Sequence, residues 1–441
     1  MSLLGAMNTA ISGLTAQSAA FGNISDNVAN SQTVGYKRVD TNFVDYLTTS
    51  NATTNDPGAV VARPAYVNNV QGTVTQTDNP LGLAIAGQGF FAVSQSTGQV
   101  NSIPTFNPQQ FYTRAGDFQL NSSGYLVNSA GEYLNGWTVD PSSGVVNQNS
   151  LAPIQVTQTV YNPVPTSTVT LSANLPATPA TGSATATAPI SSDIDVYDSL
   201  GTQHVITLQW VQNAASDWTV SVNSPDDITT PGVIGSADVQ FGALSGNPVP
   251  AGTVGNIGST TGTVTSAGYT AGSAATLSFT TDFGSGAQTI QLNIGTYGQT
   301  SGVTQYAGTQ YNLEGLTQNG VPPGSFAGVT PQANGDIVVN YNNGQTRTIA
   351  QVPVITFNSP NVLQRQNGQS FTATLGAGTP LAEQASTNGA GNLVTNSVES
   401  SNVDIATEFS NLIVAQQAYS ANAKLVTTAQ QMLQTTVDMK Q

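Results

Sequence analysis

The sequence predicts an α+β multidomain protein. N- and C-terminal helices pair as a coiled-coil-like inner domain, and mainly antiparallel β domains lie between them. Three observations carry this. Near the start, Leu4, Met7, Ile11, Leu14, Ser18, Phe21 and Val28 recur at alternating spacings of four and three, with one missed beat at Ser25. At the finish, Ile405, Phe409, Leu412, Gln416, Tyr419, Ala423, Val426, Gln430, Leu433 and Val437 keep the same rhythm over a longer run. Such spacing lays one apolar stripe along a helix, the seam of a coiled coil. The long middle is different: it is rich in Gly, Thr, Ser and Asn, with short alternating apolar runs typical of strands.

In chain order, residues 1–60 read as the first helix and a linker. Gly5, Gly13 and Gly22 sit inside that helix and each costs about 1 kcal/mol against Ala, so alone in water it is marginal. Turn residues from Asn30 to Gly35 end it, residues 36–50 are compatible with extended chain, and 51–60, with Pro57-Gly58, read as a polar linker. Residues 61–160 form the first part of an inner β domain. Residues 161–345 form an outer β domain of one or two parts, a sandwich or barrel by strand spacing, with a low-complexity loop at 176–190. Its expected strands are Ile194–Tyr197, His204–Val211, Trp218–Val222, Thr276–Thr281 and Thr289–Ile294. Residues 346–395 return to the inner β domain, and 396–441 form the closing helix. Asn402 reads as its N-cap, Asp404 and Glu408 suit the positive end of its dipole, and Lys440 suits its last turn. The apolar stripes allow two arrangements: packing on the body of one molecule, or packing between molecules. A sustained rhythm with almost no charge favours the second.

Composition excludes several functions. Charged residues are 7% of the 441 and the net charge is −15. No Lys or Arg lies between Arg114 and Arg347, a stretch with thirteen Asp and Glu, so a phosphate backbone would be repelled and nucleic-acid binding is excluded. There is no cysteine, which removes disulfides, thiolate metal sites and thiol catalysis. No cleavable signal peptide and no apolar stretch of membrane-spanning length is expected, so stable membrane insertion is not either.

No constellation of catalytic, cofactor or metal residues emerges. Gly87-Gln-Gly89-Phe-Phe-Ala92 matches a dinucleotide pattern, but Phe90–Val93 reads as a strand where a helix is required. Asp193, Asp195 and Asp198 lack the Gly and Glu of a calcium loop and read as strand faces and an Asp-Ser-Leu-Gly turn. His204, the single histidine, reads as an ordinary strand residue with no nucleophile nearby in sequence.

Two longer runs carry more. Asn27-Val28-Ala29-Asn30-x-x-Thr33-x-Gly35-Tyr36-Lys37 resembles the signature after the first helix of the axial (rod and hook) proteins of the bacterial flagellum. Ser400-Ser401-Asn402-Val403-Asp404, followed by Glu408, Gln416, Ala418-Tyr419, Ala421-Asn422 and Lys424, resembles that family's C-terminal signature, with Gln417 where an Arg is common. Leu83–Val93, Tyr112–Phe118 and Gly124–Leu126 resemble its inner β domain. Asp198-Ser199-Leu200-Gly201 and Tyr341-Asn342-Asn343-Gly344-Gln345 resemble its hook branch. The likeness is weakest over about 225–310.

The resemblance implies a structural subunit, not an enzyme, that polymerises into a flexible curved tube joining the rotary motor to the filament. Implied partners are other copies of the chain, rod, hook-cap and hook–filament junction proteins, a hook-length control protein and the type III export apparatus. Implied location is extracellular, in the flagellum, with export that uses no cleaved signal. Phe43-x-x-x-Leu47 is similar to the short motif that family members present to the export gate. The alternatives are a stiff distal rod subunit of the same family, which the length and large insert oppose, and a secreted β-rich adhesin.

Overall fold

The structure, a computed structural model, describes residues 3–50, 55–101, 103–140 and 143–439. The chain is mostly β, with one long helix at each end of the described residues. Helix α1 spans Leu3–Ala29 and helix α2 spans Ile405–Asp438. A long antiparallel hairpin follows α1, built from β1 (Val39–Ser50) and β2 (Asn55–Tyr66). Residues 55–60, read from sequence as linker, are therefore strand. The Pro57 and Gly58 that suggested a linker sit beside a bulge where the register shifts between Tyr46 and Leu47, and Pro is tolerated at such irregular positions. Residues 51–54 of that expected linker, and Lys440, lie outside the described residues.

The chain divides into two compact units: residues 1–158, 327–340 and 346–441 form the first, and 159–326 with 341–345 the second. In the first unit, the central strands run in the order Asp336–Tyr341, Thr346–Gln351, Glu132–Val139, Phe91–Val100, Phe111–Thr113, Ser370–Thr372 and Gln364–Arg365. Phe90, Ala92, Tyr112, Ile355, Leu363 and Phe371 form one of its cores. Short pairs then carry the chain toward the helices: Leu83–Ala86 with Asn392–Thr395, and Val74–Gln76 with Ser397–Glu399.

The second unit is a sandwich. One sheet has five antiparallel strands, Ile190–Tyr197, Gln203–Ala214, Asp217–Ser224, Gly232–Phe241 and Val254–Gly262. The other has six, and its Thr168–Pro176 strand pairs in parallel with Ala287–Thr296 and Val303–Tyr306 but antiparallel with Asn312–Gln318. One core fills the space between the sheets, with Trp210, Trp218, Phe279, Leu208, Leu171 and Leu292 all buried. Each such side chain contributes roughly 1.5–3 kcal/mol. Strict alternation makes this possible: along Asp217–Ser224 every second residue is buried. The five strands expected from sequence fall within these sheets, which share one core.

Candidate assembly site

Helices α1 and α2 pack antiparallel. Asn27 Nδ2 donates to Glu408 Oε1 at 3.2 Å, the Phe21 and Tyr419 rings meet edge-on at 6.2 Å, and Gly13 faces Asn422 so closely that a Cβ would lie 2.9 Å from its Nδ2. The residues buried along α1 are mostly small: Ala10, Gly13, Ala16, Ala20, then Ile24 and Asn27. On α2 they are Glu408, Ala415 and Ala429, which with half-buried Asn422 step by seven residues. Small side chains let the two backbones approach.

The apolar stripes expected from sequence mostly flank this line. On α1, Leu4 and Ile11 are exposed, while Met7, Leu14, Phe21 and Val28 are half-buried. On α2, Leu412, Val426 and Leu433 are half-buried, while Ile405, Phe409, Tyr419 and Val437 are exposed. Ile413, Val414, Leu425 and Met432, which the stripe reading missed, are exposed as well. The buried line was hidden because Ala, Gly and Asn do not register in a count of large apolar residues.

The hairpin lies along α1. Thr9 Oγ1 donates to the Gly58 carbonyl at 3.4 Å, Val60 N donates to Ser12 Oγ at 3.1 Å, and Asn23 Nδ2 donates to Thr41 Oγ1 at 2.8 Å. An isolated two-stranded hairpin is marginal, so this helix is its support. Phe43 (47% exposed) and Leu47 (48%) lie in β1, with Tyr46 and Val61 also exposed. Between α1, α2 and β1 runs a groove of about 420 Å³ lined by Ile24, Val39, Phe43, Glu408, Val414 and Ala415 among others.

Where the helices meet the β structure, the two sequence signatures close on each other. Asn30 and Thr33 make the turn after α1: Asn30 Nδ2 donates to the Asp26 carbonyl and Thr33 Oγ1 to Asn30 Oδ1. Gly35 has φ 71°, and a Cβ there would come 2.3 Å from the Ala115 backbone nitrogen. Its N–H donates to the Glu399 carbonyl at 2.8 Å. Tyr36 is buried, its hydroxyl reaches Asn27 Oδ1 at 3.2 Å and the Arg365 guanidinium covers its ring at 4.3 Å.

Lys37 Nζ meets Glu399 Oε1 at 2.5 Å and donates to the Val70 carbonyl at 2.7 Å. Arg114 Nη1 takes the other carboxylate oxygen at 2.7 Å, and its Nη2 donates to the Gly87 carbonyl. Two buried cations thus share one carboxylate. Burial pushes the Lys37 ammonium down to about 8; Glu399 opposes this and neighbouring Arg114 adds to it. Glu399 and Arg114 were missed as partners of Lys37, because nothing in local spacing links positions so far apart.

Asn402 does not cap α2. Asp404 does, accepting from Thr407 N at 2.9 Å. Asn402 instead accepts from Arg38 N at 2.7 Å and donates to the Val67 and Val70 carbonyls. Its hydrogen-bonding capacity goes to tying the incoming chain to the outgoing one, and Asp404, two residues later, is left nearest the first free N–H groups.

Four family models cover most of the chain: "Flagella basal body rod protein" over residues 7–37, "Flagellar hook protein FlgE/F/G D1 domain" over 84–173, "Flagellar basal body protein FlaE D2 domain" over 167–321, and "Flagellar basal body rod FlgEFG protein C-terminal" over 394–439. A relative named flagellar hook protein FlgE, from Brucella suis, is 30% identical over 445 residues, covering all of both chains. The chain belongs to the flagellar hook protein family. Hook proteins of Rhizobium meliloti (29% identical, all of both chains) and Salmonella typhimurium (29%, 98% of this chain and 99% of the relative) are similar over the same extent. The hook subunit is a structural component of the bacterial flagellum, not an enzyme.

The other constellations of this hook subunit take structural places. Gly87 and Gly89 have φ of 115° and 124° and turn the chain into the Phe91–Val100 strand. Asp198 Oδ1 accepts from Leu200 N and Thr202 N, closing the Asp-Ser-Leu-Gly turn. Asp227 is buried; burial alone would raise its carboxyl, but hydrogen bonds from Thr229, Thr230, Thr281 and the Asp282 N–H outweigh that and hold it well below the usual range. Among the described residues no group of three or more His, Cys, Asp or Glu is placed to hold a metal ion, and no helix is long and apolar enough to cross a membrane.

Proposed function

We propose that this hook subunit polymerises through α1 and α2 into a curved tube that acts as a universal joint between rod and filament. The observation that carries this is the set of large apolar side chains left exposed on α2. Phe409 lies on one side of the buried line, and Val414, Leu425 and Met432 on the other. Within the chain α2 meets α1 mainly through Glu408, Ala415, Asn422 and Ala429, with Tyr419 edge-on to Phe21, so Phe409, Val414, Leu425 and Met432 remain for neighbours. In this reading α1 and α2 form a coiled-coil-like unit, and copies associate through its flanks. Burying one such side chain at a contact is worth roughly 1.5–3 kcal/mol.

The sandwich at 159–326 would make the outer contacts. It has no Lys or Arg, so ion pairs between copies cannot lock, and Thr, Ser and Asn contacts bridged by water can exchange as the tube bends. Partners beyond other copies are the rod, hook-cap and junction proteins, the length-control protein and the type III export apparatus. The Phe43–Leu47 segment would be read by that apparatus in the unfolded chain, outside the cell envelope's signal-peptide route.

Immunogold electron microscopy with antibody against residues 160–345 on flagellated cells tests the reading. Gold on the short curved segment between envelope and filament supports it; gold scattered over the cell surface, or none, contradicts it.

A further inference from the structure

Six Asn-Gly pairs occur in the chain, beginning at Asn135, Asn319, Asn334, Asn343, Asn367 and Asn388. In such a pair the glycine has no side chain to shield its backbone nitrogen from the asparagine amide carbon before it. Attack of that nitrogen on that carbon closes a ring, but only if the peptide plane between the two residues can rotate. Five of the six planes are tied. Gly344 N donates to the Tyr341 carbonyl at 3.1 Å, Gly335 N to the Gln332 carbonyl at 3.0 Å, and Gly320 N to Gln318 Oε1. Asn135 is fully buried within the Glu132–Val139 strand, where Gly136 pairs with Ala152. The Asn367 carbonyl accepts from Ser370 Oγ at 2.9 Å, and a Cβ on Gly368 would lie 3.0 Å from Ala130.

Asn388-Gly389 is the exception. It forms the tip of a turn that Ala390 N closes by donating to the Thr387 carbonyl at 2.8 Å. Its φ values are 49° at Asn388 and 83° at Gly389, the left-handed pair of a tight turn that favours Asn-Gly. Both residues are exposed, and a Cβ on Gly389 would meet nothing within 4 Å. Among the described residues neither the Asn388 carbonyl nor the Gly389 N–H has a hydrogen-bond partner. The side chain is held at one end only, where Asn388 Nδ2 donates to Glu383 Oε2 at 2.8 Å. The turn links two strand pairings. Leu381–Glu383 before it pairs with Val354–Thr356, and Asn392–Thr395 after it pairs with Leu83–Ala86.

We propose that Asn388 is a site of spontaneous deamidation in the folded chain. The Gly389 nitrogen bonds to Asn388 Cγ, the Cγ–Nδ2 bond breaks, and Nδ2 leaves as ammonia with the proton that Gly389 gives up. Solvent water then opens the cyclic imide at either carbonyl, which yields aspartate or isoaspartate. At the tied pairs a hydrogen bond must open first, and each such bond slows ring closure by about tenfold. Either product replaces the amide that donates to Glu383 with a second carboxylate beside it. Isoaspartate also adds a carbon to the backbone of the turn. The connection between the two strand pairings is loosened by both changes.

The test is incubation of the full-length chain at mildly alkaline pH, native and in urea, followed by mass spectrometry. Cleavage after Glu383 and Glu399 releases residues 384–399, which contain no other Asn-Gly pair, and fragmentation assigns the remaining five. In the native chain the mass gain of amide-to-acid conversion is expected at Asn388 at least about tenfold faster than at any other pair. In urea, where every plane is free, the six rates are expected to converge. A native chain in which Asn388 reacts no faster than another pair, or rates in urea that keep the native order, would overturn the proposal. Amides of residues 384–391 are expected to exchange faster in the deamidated chain than in the fresh one. Equal exchange would overturn the loosening of the turn.

Discussion

Lys37 and Glu399, 362 residues apart in sequence, meet at 2.5 Å with both side chains almost fully buried. The contact joins the chain leaving α1 to the chain entering α2. It is reinforced by Gly35 N on the Glu399 carbonyl, Gly72 N and Arg114 on its carboxylate, and Asn402 on Arg38 N. A hook subunit's two ends are thereby fixed to one β frame.

Removing the carboxylate leaves two buried cations without a counter-charge, held only by backbone carbonyls. Glu399→Ala is expected to cost about 3–5 kcal/mol. Glu399→Gln, which keeps an acceptor for Gly72 N, is expected to cost less. Urea unfolding of the monomer measures both; a loss below about 1 kcal/mol for the alanine variant would show that the cluster is dispensable.

Lys37 sets a pH dependence with a definite sign. Its folded form gives up its proton near pH 8, while an unfolded lysine holds it to about 10.4. Between those values the unfolded chain binds more protons, so stability rises with pH. The gain from pH 8 to 9.5 is expected to be about 2 kcal/mol, and Lys37→Met is expected to remove it. Urea midpoints that fall over this interval in the wild type would refute the assignment.

Gly35→Ala meets two obstacles: a left-handed backbone, costing about 1–2 kcal/mol, and a Cβ 2.3 Å from the Ala115 nitrogen, which cannot move without its strand connection. A melting temperature lowered by several degrees is expected, with local amide exchange fastest around residues 35–38 and 114–116. An unchanged melting temperature would mean that the close approach relaxes freely.

Gly13→Ala differs, because its Cβ would meet only the end of the Asn422 side chain, which can rotate away. The substitution also improves helix propensity by about 1 kcal/mol. The expected outcome is neutral to stabilised monomer; a marked loss, read by circular dichroism of the melting transition, would show that α1 and α2 require glycine here.

The sandwich was legible because alternation is local. Trp218, Val220 and Val222 announce their strand, and its turns carry Asp and Gly. The two terminal helices were legible by their rhythm, but not the faces on which they pack. Ala415 and Ala429 look inert in sequence, while Phe409 looks like core and is 53% exposed. Asn402 looked like a cap because capping statistics are local, whereas its actual partners, Arg38, Val67 and Val70, are set by tertiary structure. Residues 55–60 looked like linker because a strand supported by a helix tolerates Pro and Gly that an unsupported one would not.

The central claim is that large exposed residues of α2 join copies while small buried ones join α2 to α1. The most direct measurement is electron microscopy of cells whose only hook gene carries Phe409→Asp with Leu425→Asp, beside the melting curve of the purified variant. The account predicts an unchanged melting temperature, exported monomer in the medium and no hooks. Hooks of normal length and curvature from the same variant would contradict it.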